Sequence, residues 1–127
     1  MVGFVIVSHS SKLAEGVADL ARMMARTVPI AAAGGLEDGS FGTSFEKISN
    51  AIDQVYSGDG VILLMDMGSA VMTAEMVMES MEDRKLAMAD CPIAEGAVTG
   101  TVNAEAGMSL EEILEELAQV GTQKKLQ

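Results

Sequence analysis

The chain has 127 residues and a net charge of −11, with 49% apolar residues but only three Phe, one Tyr and no Trp. That length holds one domain, whose core must come from Val, Ile, Leu, Ala and eleven Met. The charge argues against nucleic acid and anionic membranes as partners, the lone Cys91 excludes an intrachain disulfide, and no apolar run approaches the ~20 residues of a membrane helix.

Gly3 to Ser8 (GFVIVS) reads as a strand apolar on both faces, hence interior and parallel. Leu13, Val17, Leu20, Ala21 and Met24 follow at helical spacing, behind a cap at Ser10 or Ser11. Val28 to Ala33 is a second strand, followed by the Gly-rich loop GGLEDGSFGTS. Thr43 and Glu46 match a capping box for a helix whose inner face is Phe45, Ile48, Ile52 and Val55. YSGDG, residues 56–60, turns into a third strand, Val61 to Met65. Asp66-Met67-Gly68-Ser69 opens a helix to about Met81, and Leu86 to Ala89 is a fourth strand.

Pro92 suits a first helical turn, and a helix is expected from there to Ala106. Gly96 and Gly100, four apart among alanines, suggest close approach of another backbone. Ser109 and Glu112 form a further capping box before Leu110, Ile113, Leu114 and Leu117. Residues 1–120 thus form the expected domain and 121–127 a polar tail. The alternation predicts a single α/β domain: a mostly parallel four-stranded sheet flanked by helices on both faces.

In such sheets, ligands gather at the carboxyl ends of the strands where strand order reverses, commonly between strands 1 and 3. His9, the only histidine, ends strand 1; Asp66 ends strand 3. An imidazole at a helix start faces free backbone N–H groups and a positive dipole end, which suit an anion. Ser8, Ser10 and Ser11 add hydroxyls. Asp66 would accept from one ring nitrogen and leave the other as a nucleophile, an arrangement suited to a phosphohistidine. Bland readings stand beside this one: a structural His9, Asp66 as a helix cap, and glycine loops that are only turns. A histidine phosphatase needs an Arg and a second His, and a receiver domain needs an acidic pair after strand 1. Ser69 lacks the G-x-S-x-G elbow, and neither a Walker loop nor metal-ligand spacing is present. A carrier, with no metal and no cofactor bound by the chain, fits better than a stand-alone enzyme.

VSHSSKLAEG and LLMDMGSA, with the GTS loop and CPIAEGAV, resemble the phosphotransferase subunits of bacterial dihydroxyacetone kinases, relatives of the mannose-class IIA domains. The resemblance covers residues 1 to about 120. It implies a cytoplasmic phosphoryl relay from phosphoenolpyruvate through enzyme I and HPr to Nε2 of His9. The next step it implies is transfer to ADP held by the nucleotide-binding kinase subunit. His9 and Asp66 are then the catalytic pair. Gly42, Thr43, Ser44, Gly68 and Ser69 join the three N-terminal serines as phosphate-binding or supporting residues. The resemblance also implies a homodimer, which the small residues Ala94, Gly96, Ala97 and Gly100 would permit. A fifth, exchanged strand is not expected after Leu110. The alternatives are a IIA subunit of a mannose-class sugar permease and a non-catalytic regulatory domain.

Overall fold

Every residue of β1 (Gly3–Ser8) is buried in the computed structural model, which describes residues 1–126. Phe4 and Ile6 face one side of the sheet, and Val5 and Val7 face the other. Such a strand needs cover on both faces, and the chain supplies it in order: α1 (Ser11–Met24), β2 (Ile30–Gly34), α2 (Phe45–Val55), β3 (Val61–Met65), α3 (Ser69–Glu79), β4 (Leu86–Ala89), α4 (Ile93–Glu105) and α5 (Leu110–Val120). All four strands are parallel, in the order β2-β1-β3-β4. This is the expected α/β architecture, and strand order reverses between β1 and β3.

α1, α4 and α5 cover the face holding Phe4, Ile6, Ile62 and Leu64; α2 and α3 cover the face holding Val5, Val7, Val61 and Leu63. Fully burying each of these side chains is worth about 1.5–3 kcal/mol. Gln127, the last residue of the expected tail, lies outside the described residues.

Several local expectations shift. The second strand starts at Ile30, because Pro29 has no N–H for a ladder; its carbonyl instead accepts from Phe4 N–H at 2.9 Å. α1 buries Ala14, Val17, Ala18 and Ala21, leaving Leu13, Leu20 and Met24 substantially exposed. The small side chains let α1 lie close to β2. A Cβ on Gly34 would stand 2.5 Å from the Ser10 carbonyl oxygen and 2.7 Å from Ala14 Cβ. Phe45 is likewise 40% exposed, and Ala51 joins Ile48, Ile52 and Val55 on the buried side of α2.

The α4 glycines do meet close neighbours, but within this chain. A Cβ on Gly96 would lie 2.4 Å from Cys91 Sγ, and one on Gly100 would lie 2.8 Å from the Phe4 ring. With Ala97 they are buried, so this stripe packs on the chain's own sheet. The Ser109–Glu112 capping box forms as expected, with Glu112 accepting from Ser109 N–H and Ser109 Oγ from Glu112 N–H. No described helix is long and apolar enough to cross a membrane.

Candidate active site

The parallel register places the two candidate residues side by side. Val7 of β1 pairs with Met65 of β3, and Asp66 N–H donates to the Val7 carbonyl at 3.1 Å. One step past this rung, Ser8 stands beside Asp66 and His9 leaves the sheet. Asp66 Oδ2 accepts from the Ser8 hydroxyl at 2.9 Å and from His9 N–H at 3.0 Å. The ring nitrogen Nδ1 of His9 lies 3.1 Å from Asp66 Oδ1 and 3.3 Å from Oδ2.

Burial pushes the Asp66 carboxyl up. The His9 N–H, the Ser8 hydroxyl and the His9 ring together outweigh it and hold the group below its ordinary range. An ionised carboxylate only accepts, so the tautomer that fits has its proton on Nδ1 and the lone pair on Nε2. Ser69 Oγ, 2.9 Å from Nε2, therefore donates to it. The imidazole is 23% exposed and the Asp66 side chain 8%. The ring is thus fixed from behind and open in front.

Two helix starts meet at this edge. Ser10 caps α1: its hydroxyl accepts from Leu13 N–H at 3.2 Å, and its own N–H donates to Ser8 Oγ at 3.0 Å. α3 begins at Ser69 behind Gly68, without a side-chain cap. A helix start carries the positive dipole end. At α3 the Ala70 and Val71 N–H groups already donate to the Met67 and Gly68 carbonyls, both at 3.1 Å, so α3 offers its dipole while α1 offers its opening N–H groups as well. An anion on Nε2 would find that environment.

The Gly-rich loop closes a third side. Gly42 N–H donates to the His9 carbonyl at 2.9 Å, with φ +149. That backbone geometry favours glycine, and a Cβ there would also press on Leu36. Thr43 does not cap α2. Its hydroxyl meets Thr73 Oγ1 of α3 at 2.9 Å, and Ser44 is the cap, accepting from Lys47 N–H at 3.1 Å and donating to Glu37. The shift by one residue leaves Lys47 where a reciprocating Glu would be needed, so no capping box forms.

His9, Asp66, Ser8 and Ser69 are thus joined directly, and Ser10 and Gly42 hold the His9 backbone region. Thr43, Ser44 and Gly68 shape the loops. Ser11 belongs to the first turn of α1, against Gly34 and Gly35. Thr73 was not among the candidates. Its spacing of four from Ser69, on the same side of a helix, is the signal that finds it. Lys47, whose Nζ donates to the Gly34 carbonyl at 3.0 Å, carried no such signal. A cleft of about 450 Å³ beside Asp66 is lined by Met65, Met88, Asp90 and Cys91. Burial and then Asp90 push the Cys91 thiol up to about 11, so it stays protonated at neutral pH. Among the described residues no three His, Cys, Asp or Glu side chains form a metal-holding group.

The site is a histidine braced by a carboxylate at the switch point of a doubly wound sheet, and comparison with known proteins places the chain in a IIA family. Residues 3–114 match the family described as the PTS system fructose IIA component, and the chain belongs to that family. It is 40% identical over 122 residues to the PTS-dependent dihydroxyacetone kinase, phosphotransferase subunit DhaM, of Lactococcus lactis, covering 96% of this chain and 98% of that protein. It is 35% identical to the phosphoryl donor subunit DhaM of PEP-dependent dihydroxyacetone kinase 2 of Listeria innocua, covering 94% and 99%. The corresponding Escherichia coli subunit is 39% identical over 90% of this chain, which spans only 26% of that longer protein. A crystal structure of a protein of unknown function superposes with a TM-score of 0.85 at 26% identity, covering 99% of this chain and 98% of the other. A sigma-54 interaction domain protein from Enterococcus faecalis shares the fold, with a TM-score of 0.71 at 20% identity over 91% and 87%.

Proposed function

We propose that this chain is the phosphoryl donor subunit of a dihydroxyacetone kinase, carrying the phosphoryl group on Nε2 of His9. The observation that carries the reading is the orientation of one ring between two partners, Nδ1 on Asp66 and Nε2 at the open edge under Ser69. The names of relatives at 35–40% identity support the kinase context.

In this reading HPr presents a phosphohistidine. The Nε2 lone pair attacks phosphorus, a new P–N bond forms, and the donor's P–N bond breaks with its electron pair returning to the donor ring. Asp66 steadies the positive charge that develops on the His9 ring and keeps the proton on Nδ1. Ser69 must release Nε2 as phosphorus arrives, and its hydroxyl is then placed for a phosphoryl oxygen. The N–H groups opening α1 and the positive dipole end of α3 favour the same anion. Transfer onward runs in the same way: a terminal oxygen of ADP, held by the nucleotide-binding kinase subunit, attacks phosphorus, and the electron pair of the broken bond returns to Nε2. The ATP so formed serves dihydroxyacetone held on a further subunit.

The reading includes a cytoplasmic homodimer, formed through a face other than the buried α4 stripe. Sedimentation showing only a 13 kDa species at micromolar concentration would remove the dimer. A sugar-permease role is the second reading, favoured by the fructose IIA description of the family. It shares the chemistry and differs in acceptor.

The test is incubation with phosphoenolpyruvate, enzyme I and HPr. Acid-labile phosphate should appear in the parent and not in His9→Ala. Phosphorylated protein is then offered separately to the ADP-loaded kinase subunit and to a IIB sugar-transport subunit. Discharge to the IIB protein alone overturns the kinase assignment.

A further inference from the structure

The α3 helix presents two different faces. Ala70, Ala74 and Val77 are buried against the sheet. Ser69, Met72 and Met76 recur at spacings of three and four and share another face. Met72 is 74% exposed and Met76 59%. The near end of this face is the Ser69 hydroxyl on His9 Nε2, and Thr73 ties the same side of the helix to the Gly-rich loop. The exposed methionines therefore continue outward from the reacting nitrogen.

We propose that this Ser69–Met72–Met76 face of α3 is the docking surface for the nucleotide-holding subunit that accepts the phosphoryl group, an assignment that rests on the function proposed above. Two large apolar side chains left in water beside a reactive group mark a contact surface. Methionine suits it because the unbranched thioether adapts to a partner's shape. Charge selects among occupants. α3 contains no Lys or Arg, and Glu75 and Glu79 lie exposed along it. Cationic groups that a subunit sets around a nucleoside diphosphate to balance its charge would meet these carboxylates favourably. A second copy meeting this face through its own α3 would set Glu75 and Glu79 against the same carboxylates, so the dimer uses another surface.

The test uses the double variant M72Q/M76Q, whose changes lie on exposed positions and outside the His9 site. His9 is loaded with potassium phosphoramidate, a small donor that needs no docking. Phosphoprotein is then titrated with the ADP-loaded nucleotide-binding subunit of dihydroxyacetone kinase. Chemical loading should match the parent and the limiting transfer rate should be retained. The subunit concentration for half-maximal transfer should rise about ten-fold or more, as for loss of central interface contacts. An unchanged titration overturns the docking assignment while leaving the proposed function intact. So does a defect confined to loading by HPr, or one confined to self-association. A parent phosphoprotein that loads normally but transfers nothing to the ADP-loaded subunit overturns the proposed function, and the docking assignment with it.

Discussion

Asp66 holds His9 at both its ring and its backbone: Oδ1 lies 3.1 Å from Nδ1, and Oδ2 accepts the His9 N–H at 3.0 Å. One carboxylate thus sets the tautomer and the position of the ring together. Asp66→Asn retains the shape but lacks the charge that steadies a protonated or phosphorylated imidazole. We expect folding to be preserved and transfer from HPr to His9 to slow by ~10²–10⁴-fold. Rapid-quench phosphorylation, with circular dichroism as the folding control, measures both. Equal rates would reduce Asp66 to a structural role.

The same contacts make stability depend on pH. Their hydrogen bonds hold the Asp66 carboxyl below its ordinary 3.8 in the folded chain, against the opposing push of burial. Between the two values the unfolded chain binds the proton and the folded chain does not, so acid favours unfolding. The stabilisation is present above about pH 4 and is lost as pH falls through the folded value. Exposed carboxylates such as Glu112 shift in the same direction, so the parent curve alone does not isolate Asp66. Subtracting the urea stability of Asp66→Asn from that of the parent between pH 2 and 6 should give a difference that shrinks on acidification. A flat difference would contradict the assignment.

The meeting of His9 and Asp66 was legible because β1 and β3 are buried on both faces and so appear as unbroken apolar runs. Each is followed at once by a polar residue, and the doubly wound order makes the two strands neighbours. The capping of α2 was not legible. The sequence pairs Thr43 with Glu46, but Ser44 takes the cap, and that choice rests on Thr73, thirty residues away, and on Glu37 within the loop. The buried face of α1 was misread for a related reason. Leu13, Leu20 and Met24 are the larger apolar residues, yet close packing on Gly34 selects the alanines. Periodicity finds an apolar stripe, but the available space decides which side chains fill it. Gly96 and Gly100 mark close approach correctly; their partners, Cys91 and Phe4, depend on which sheet face α4 covers.

Gly34→Ala tests that packing directly. The new methyl would meet the Ser10 carbonyl oxygen, a backbone atom at 2.5 Å, and Ala14 Cβ at 2.7 Å, so neither neighbour yields by rotating a side chain. Overpacking of this kind costs about 1–3 kcal/mol. The urea midpoint should fall with an unchanged m-value, and the start of α1 beside His9 should move. An unaltered midpoint would mean that α1 shifts freely from the sheet.

Ser69 separates positioning from folding. Its hydroxyl meets Nε2 at 2.9 Å, and α3 makes no side-chain cap bond at its start. Ser69→Ala should therefore leave the urea midpoint unchanged within about 0.5 kcal/mol of stability. The variant frees Nε2 in the resting protein but removes a donor aimed where phosphoryl oxygens gather charge. Only the second effect strengthens in the transition state, so it decides the rate. Transfer from HPr should slow, by up to the ~10²-fold seen on removing a single donor to a developing anion. Ser69→Thr keeps the hydroxyl and should recover part of the loss. Transfer faster in Ser69→Ala than in the parent would show the opposite balance, with the hydroxyl acting as a cover that holds the nucleophile back.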